Sequence, residues 1–339
     1  MLQCAEVLPM HASQYMAHCD HLKESDETFV IDLMEYHRIN PLIQLNKEEI
    51  LAAFDKAALG PVLDLCPVSS GMSNTGYRVT TSCGQFLMKR YAKATGKAEA
   101  GSLSYLQGRI PVPGMLCYEP GASYVIMEWI DGIPLDRYLN EGGALTDDLV
   151  RQMAFMTSVI HQKEFLHDAT LDHRLQPLTA RPSEHEKLLY TLTRKPAAHL
   201  DPALIRGLTE FVYDHEQAFR QLEARSVLLH GDLSFDNMLL KDGTLYYIDF
   251  EFASAGSPYC DLGHLLRPGE GASSPFSKQL LKVFREAYDR SASAPLSDHW
   301  LLLSRLADLN SMLCLLNLDD PPVSWIRIIE ETIRTTIGF

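Results

Sequence analysis

No Cys-x-x-Cys pair occurs among the seven cysteines of this 339-residue chain. That excludes a zinc ribbon and a dithiol redox motif. The cysteines fall at irregular places, Cys4, Cys19, Cys66, Cys83, Cys117, Cys260 and Cys314, so reduced thiols and a cytoplasmic location are the expectation. Basic charge is also in short supply: 30 Lys+Arg face 44 Asp+Glu, a net charge of −14. Such a balance argues against phosphate-driven binding of nucleic acid and against an anionic membrane surface. It suits cationic small molecules, with surface solubility as the plainer use of surplus acid. Long apolar runs are missing too. The most apolar stretch, Leu301 to Leu318, is interrupted by Arg305 and Asp308 with helical spacing, and reads as a buried helix, not a membrane span. The N-terminus lacks a basic segment followed by an apolar one, so no signal peptide is expected. Neither an internal repeat nor a low-complexity tract is evident.

What is there is an ordinary globular composition, 46% hydrophobic, with length for about two domains. Residues 1–45 are weakly patterned. They hold His11, His18, His21, Cys4 and Cys19 in no recognisable zinc spacing, and read as an extension. Asn46 and Glu49 then form a capping-box signature ahead of the stripe Ile50, Leu51, Phe54, Ala57 and Ala58, which Gly60-Pro61 ends. Strands are expected at Val62 to Val68, Tyr77 to Thr81, Gln85 to Tyr91, Pro111 to Tyr118 and Ser123 to Trp129, with a helix from Lys97 to Leu106. After residue 135 the pattern turns helical: Thr146 to His161, then near 184–192, 202–224, 276–290, 297–317 and 322–336. Two strand-like runs, Val227 to Leu229 and Leu245 to Phe250, interrupt it. A sheet-rich part followed by a larger helical part implies an α+β chain of two lobes with a cleft between them. The expected divisions are an extension over 1–45, a nucleotide-binding lobe over 46–130 and a helical lobe over 131–339.

One constellation stands out: His230-Gly231-Asp232-Leu233-Ser234-Phe235-Asp236-Asn237, followed by Ile248-Asp249-Phe250-Glu251. Phosphoryl transfer calls for such a set. A hydroxyl attacking a γ-phosphate needs a carboxylate to orient it and take its proton, which Asp232 suits. Nucleotide phosphates come with Mg²⁺, a hard ion that prefers oxygen ligands; Asn237 offers an amide oxygen and Asp249 a carboxylate. Asp249 is expected on the second strand of a hairpin, facing back toward the other two. Upstream, Lys89 ends the third strand where a phosphate-binding lysine would sit, or is a solvated strand-end charge. Glu99, the sole acid between Asp64 and Glu119, is its expected ion-pair partner. The small residues of Ser69 to Gly76, with Ser70, Ser73 and Asn74, could bring backbone N–H groups to an anion, or be a plain hairpin turn. The run Met127 to Ile130 is where a linker would meet a purine base, and equally a core strand.

These residues resemble the aminoglycoside phosphotransferase and choline kinase-like family, small-molecule kinases with a protein kinase-like fold. The resemblance covers residues 47 to 339. Gly231 after His230, and Glu251 after Phe250, point to this branch and away from protein kinases. It implies Asp232 as catalytic base, Asn237 and Asp249 as Mg²⁺ ligands, Lys89 on the phosphates with Glu99 orienting it, and ATP or GTP as donor. It further implies that the backbone at Glu128 and Ile130 meets the base, and that Asp261, with His230, gives the catalytic loop structural support. Asp236 and Glu251 are candidate acceptor-binding carboxylates, with a solvated or structural role as the alternative for each.

The expected activity is transfer of a γ-phosphate to a hydroxyl of a small cationic molecule, an aminoglycoside antibiotic first and an amino alcohol such as choline next. Macrolide or peptide-antibiotic kinases stay open. A non-catalytic pseudokinase is the rival from another class, and the intact set Lys89, Asp232, Asn237 and Asp249 opposes it. Nucleic acid and membrane are not expected partners. Residues 1–130 hold 14 acids and 10 bases, residues 131–339 hold 30 and 20, so most of the excess acid lies in the part expected to bind the acceptor.

Overall fold

In the computed structural model, which describes residues 46–68, 74–91, 96–119, 123–267 and 275–338, Asn46 opens the first helix, α1 (Lys47–Lys56). Its side chain accepts from the Glu49 N–H at 2.7 Å, and the Glu49 carboxylate accepts from the Asn46 N–H at 3.2 Å. Two orphan donors at the helix start are thereby satisfied. Residues 1–45 lie outside the described residues, and with them His11, His18, His21, Cys4 and Cys19.

Contacts divide the described residues into two units, those up to Gly96 with Pro113–Ile130, and Lys97–Val112 with those from Asp131 onward. In the first unit, β1 (Val62–Val68), β2 (Thr75–Thr81), β3 (Gly84–Arg90), β4 (Met115–Glu119) and β5 (Tyr124–Glu128) form one sheet in the order β1-β2-β3-β5-β4. Every pairing in it is antiparallel. Alternation along β3 puts Phe86 and Met88 on one face. There they meet Ile50, Ala53 and Phe54 of α1, with Val79, Tyr124 and Ile126 completing the core. Phe54 is wholly buried and its ring lies 5.9 Å from that of Phe86. The strand expected from Pro111 starts only at Met115. Pro111 and Pro113 have no N–H to give a ladder, and the Pro111 carbonyl instead accepts from the Tyr247 N–H at 3.1 Å.

The second unit takes in α2 (Gly96–Leu106), which lies within the 46–130 segment of the sequence reading. The helix is rich in small residues, and a Cβ on Gly101 would sit 3.0 Å from the His173 carbonyl oxygen. That close approach ties it to the Asp172–Leu175 turn. The unit continues with β6 (Ile133–Pro134), α3 (Leu135–Asn140), α4 (Asp147–Ile160), β7 (Glu164–Phe165), β8 (Ala169–Leu171) and β9 (Pro177–Ala180). Then come α5 (Glu184–Thr191), α6 (Lys195–Ala198), α7 (Pro202–Asp214) and α8 (Glu216–Leu222). The last part holds β10 (Ser226–Leu229), β11 (Met238–Lys241), β12 (Thr244–Tyr247), β13 (Ser254–Gly256), α9 (Pro258–Leu266), α10 (Lys278–Ser291), α11 (Trp300–Leu315) and α12 (Val323–Ile337).

Two small antiparallel sheets thread this helical unit, β7-β10-β13-β8-β9 and β12-β11-β6. The strands at 164–180 and 254–256 are two to four residues long, too short to show a period of two in sequence. The helix expected over 202–224 is two helices, because the backbone at His215 leaves the helical region at φ −112°, ψ 26°. The apolar stretch near 301–318 is α11, whose buried residues include Leu303, Leu306, Leu309 and Leu313. None of the described helices is long and apolar enough to cross a membrane.

Phe54→Ala should remove about 3–5 kcal/mol of stability, read as a lower denaturant midpoint in chemical unfolding; an unchanged midpoint would mean that α1 does not hold the first sheet.

Candidate active site

Strand β10 is buried along its whole length and delivers His230 to a loop that ends at the 3₁₀ turn Phe235–Asn237. The hairpin β11–β12 follows, closed by Asp242-Gly243 with φ of +49° and +78°, the dipeptide that a right-twisted two-residue turn favours. The loop is fastened from α9. Asp261, fully buried, accepts the His230 N–H at 2.8 Å on Oδ2 and the Gly231 N–H at 2.9 Å on Oδ1. His161 donates from Nε2 to the same carboxylate at 3.2 Å, and its Nδ1 meets the Tyr288 hydroxyl at 2.7 Å. Burial alone would push the Asp261 carboxyl up. The His161 hydrogen bond, the neighbouring His161 and His230 rings and the Gly231 N–H outweigh it and hold the carboxyl below its usual range.

Gly231 has φ +86°, and a Cβ there would lie 2.2 Å from the Phe252 carbonyl oxygen. Only glycine fits. The His230 ring is buried, with Nε2 donating to the Ile248 carbonyl at 2.9 Å and Nδ1 accepting from the Asp232 N–H at 3.4 Å. It packs 4.3 Å from the Phe250 ring. These bonds fix the orientation of the ring, which locks one strand-end to the other.

Asp232 presents its carboxylate to solvent, its side chain 47% exposed. Asn237 reaches back to it, with Nδ2 donating to the Asp232 carbonyl at 2.8 Å and to Oδ2 at 2.9 Å. Both partners are acceptors, so the amide nitrogen is the end that faces them, and the amide oxygen is turned away as an acceptor. The Ile248 N–H donates to the Asn237 carbonyl at 3.0 Å, which brings Asp249 level with Asn237. Asp249 is not on a strand as expected: β12 stops at Tyr247, and Asp249 sits at φ +64°. This left-handed residue turns the chain out of the hairpin, a conformation aspartate tolerates better than most.

Asp236 and Asp136 form a second feature. Burial of its carboxyl end, then a hydrogen bond with Asp136 and the charges of Asp136 and Asp232, push Asp236 above the usual carboxylate range, although the residue as a whole is exposed. Asp136 Oδ1 is buried and receives no N–H or hydroxyl among the described residues. The neighbouring like charges therefore add to burial in disfavouring the ionised form of Asp236. Glu251 is buried beside Phe250. In the first unit, Lys89 is buried with its ammonium 5.4 Å from the Tyr91 ring; Glu99 is buried in α2 of the second unit. The Glu128 N–H is taken by the Gly114 carbonyl at 2.8 Å, and Ile130 is buried. Asn74 borders the start of β2, while Ser70 and Ser73 lie outside the described residues.

Sequence reasoning missed Asp136, His161 and His264. Asp136 and His161 come from α3 and the end of α4, far from the motif in sequence, with no local signal. His264 follows Asp261 by one helical turn on α9, a spacing that could have flagged it.

With this geometry in place, comparison with known proteins gives a consistent picture. The family model described as "Phosphotransferase enzyme family" matches residues 64–300. Protein LicA of Haemophilus influenzae is 22% identical over 163 residues, 48% of this chain and 58% of that protein. The chain thus spans about half the length of the curated relatives it matches. Among solved structures, choline kinase LicA from Streptococcus pneumoniae superimposes with a TM-score of 0.60 at 19% identity, over 86% of this chain and 99% of that one. The streptomycin–ATP–APH(2")-IIa ternary complex superimposes with a TM-score of 0.60 at 17% identity, over 88% and 99%. At these identities the structures speak for the fold, which is protein kinase-like.

Asp261→Asn should cost about 3–5 kcal/mol near pH 7, because an amide cannot accept from both backbone N–H groups. The wild-type advantage is complete above the unfolded pKa of about 4 and shrinks as pH falls through the depressed folded value. Urea unfolding at pH 7 and in the acid range checks this; a gap that does not narrow in acid would remove the charge from the explanation.

Proposed function

The chain belongs to the phosphotransferase enzyme family, and from that premise we propose that it moves the γ-phosphoryl group of ATP to a hydroxyl of a small cationic acceptor, an amino alcohol first. The observation that carries the chemistry is the half-exposed Asp232 carboxylate held by Asn237. Asp232 accepts the proton of the acceptor hydroxyl as its oxygen attacks phosphorus and the bond to the β-phosphate oxygen breaks. The loop is fixed before substrate arrives, so little ordering is left for the reaction step.

The donor set fits Mg²⁺. Asn237 Nδ2 is committed to Asp232, which leaves its hard amide oxygen as the acceptor end, and Asp249 adds a carboxylate next to Ile248, whose N–H holds the Asn237 carbonyl. Two protein oxygens plus phosphate oxygens and water are the usual complement of a nucleotide-bound Mg²⁺. When bound, the ion offsets charge on the transferring phosphates. Lys89 would hold the phosphates with Glu99 as its partner, and the backbone at Glu128 and Ile130 would meet the base. Since the Glu128 N–H is already bonded, its contribution would come from the carbonyl oxygen. Asn74 remains a candidate for the phosphate loop.

Two observations favour a cationic acceptor. Asp236 and Asp136 form a carboxyl pair beside Asp232, which an ammonium group could neutralise. The sequence relatives carry the name LicA, as does a solved choline kinase. This moves the amino alcohol ahead of the aminoglycoside that composition and motif alone put first. Glu251, being buried, suits a supporting role more than acceptor contact.

The test is direct. The purified protein with Mg²⁺ and ATP or GTP is offered amino alcohols and aminoglycosides, and phosphorylated product is followed by phosphorus NMR. Turnover of an amino alcohol with ATP is expected. No product with any acceptor, together with no nucleotide-induced thermal shift, would overturn the reading. Asp232→Ala should lose about 10²–10⁴ in kcat. Asp236→Asn should raise KM for the acceptor and leave KM for ATP unchanged.

A further inference from the structure

Helix α9 touches the loop twice. Asp261 fastens its backbone, and His264, one turn later on the same face, approaches the Asp232 side chain itself. His264 Nδ1 lies 3.8 Å from Asp232 Oδ1. That nitrogen is buried and has no hydrogen-bond partner among the described residues, a costly state unless something completes it.

The opposite edge of the ring faces Ser311 and Asp308. Nε2 lies 2.7 Å from Ser311 Oγ and 3.5 Å from Asp308 Oδ1. Asp308, buried on α11, has both oxygens engaged by Arg267, with Nε donating to Oδ2 at 2.8 Å and Nη2 to Oδ1. Arg267 Nη2 also donates to Ser311 Oγ at 3.1 Å. Ser311 therefore already accepts from a guanidinium and has a single hydroxyl proton to give. The ring nitrogen beside it, at 2.7 Å, is placed to accept that proton, while both Asp308 oxygens are taken by Arg267. A neutral imidazole that accepts at Nε2 carries its hydrogen on Nδ1, the side that faces Asp232.

We propose that His264 is a positioning residue for the transfer reaction, donating from Nδ1 to Asp232 Oδ1 so that, with Asn237 on Oδ2, both oxygens of the carboxylate are held. This rests on the reading of Asp232 as the base. The 3.8 Å separation is long for a hydrogen bond; such contacts tighten when substrate displaces water around a catalytic group. Each Asp232 oxygen keeps a lone pair for the acceptor proton. His264, Ser311, Arg267 and Asp308 thus form a line from α11 to the base, with Arg267 spending its charge on Asp308.

A purely structural role, tying α9 to α11 through Ser311, makes the opposite forecast for two conservative variants. In His264→Asn the amide nitrogen occupies about the place of Nδ1 and loses reach to Ser311. In His264→Gln the amide reaches Ser311 and the donor toward Asp232 is lost. We expect His264→Asn to keep kcat within a few-fold, and His264→Gln to lose about 10-fold to 100-fold with KM for ATP unchanged, since a misplaced catalytic group costs rate and not nucleotide binding. The reverse order, or equal loss in both, would overturn the proposal. Nitrogen NMR of the wild-type protein labelled in histidine gives a reading independent of turnover and of how the variants fold. A His264 signal with hydrogen on Nδ1 is expected, and one with hydrogen on Nε2 alone would overturn the proposal. Should the wild type phosphorylate no acceptor, the proposed function fails, while the tautomer still decides whether this contact exists.

Discussion

A carboxylate sealed from water has to find its hydrogen bonds inside the protein, and the arrangement around Asp261 follows from that demand. Its two oxygens draw in consecutive backbone N–H groups from His230 and Gly231, and the His161 ring from the end of α4. Consecutive N–H groups converge on one anion only where the chain turns sharply, and Gly231 at φ +86° provides the turn. His161 is in turn oriented by Tyr288 on α10, whose phenol burial keeps protonated. One buried charge thereby fixes the relation of α4, α9, α10 and the loop. Its strength lies in completeness: removal of any partner would leave part of the charge unsatisfied.

The loop held in this way stores a second constraint. Asp249 has φ +64° with no glycine to ease it, at a cost on the order of 1–2 kcal/mol. The hairpin before it supports that cost, since Met238, Leu245 and Tyr247 are wholly buried and cannot shift cheaply. The His230 bond to the Ile248 carbonyl closes the two chain segments next to the strained residue. Backbone strain held by packing elsewhere is often found at functional sites, and here it falls beside the residues proposed to act in transfer. A strand continuing through Asp249 would alternate side chains by period and leave its carboxylate aimed by the sheet; the left-handed turn frees its direction from that alternation.

How much of this could be read beforehand varies with the range of the interaction. The cap at Asn46, the strands of the first sheet and the helices at 147–160 and 300–315 are local, and local pattern reveals them. The loop motif is legible because its spacing is short and local: five residues on, Asn237 donates to both the carbonyl and the carboxylate of Asp232. Positive φ at Asp249 leaves no trace in composition, because aspartate is equally at home in a strand end or a turn. His161, Asp136 and Ser311 reach the site from other helices, and a single sequence carries no mark of which distant residues will meet. The break at His215 is invisible for a different reason, since neither proline nor glycine announces it.

Charge is the other quantity that changes meaning once residues have places. Several surface acids are matched along helix faces, as in Asp147 with Arg151 and Glu216 with Arg220. Such exposed pairs contribute little to stability and account for solubility. Around the loop the balance differs. Asp232, Asp236 and Asp136 are neighbours, and Arg267, a cation whose charge reaches Asp232, is bound to Asp308. Asp236 responds by holding a proton beyond the usual range. A protein relieves so much like charge in one place by keeping a proton there or by binding a cation. In the proposed reaction a cationic acceptor would lie against Asp236 and Asp136, and Mg²⁺ would lie nearby against Asn237 and Asp249. The deficit of basic residues is therefore mostly a property of the surface, with a small concentrated part around Asp232, where the proposed reaction would place its cations.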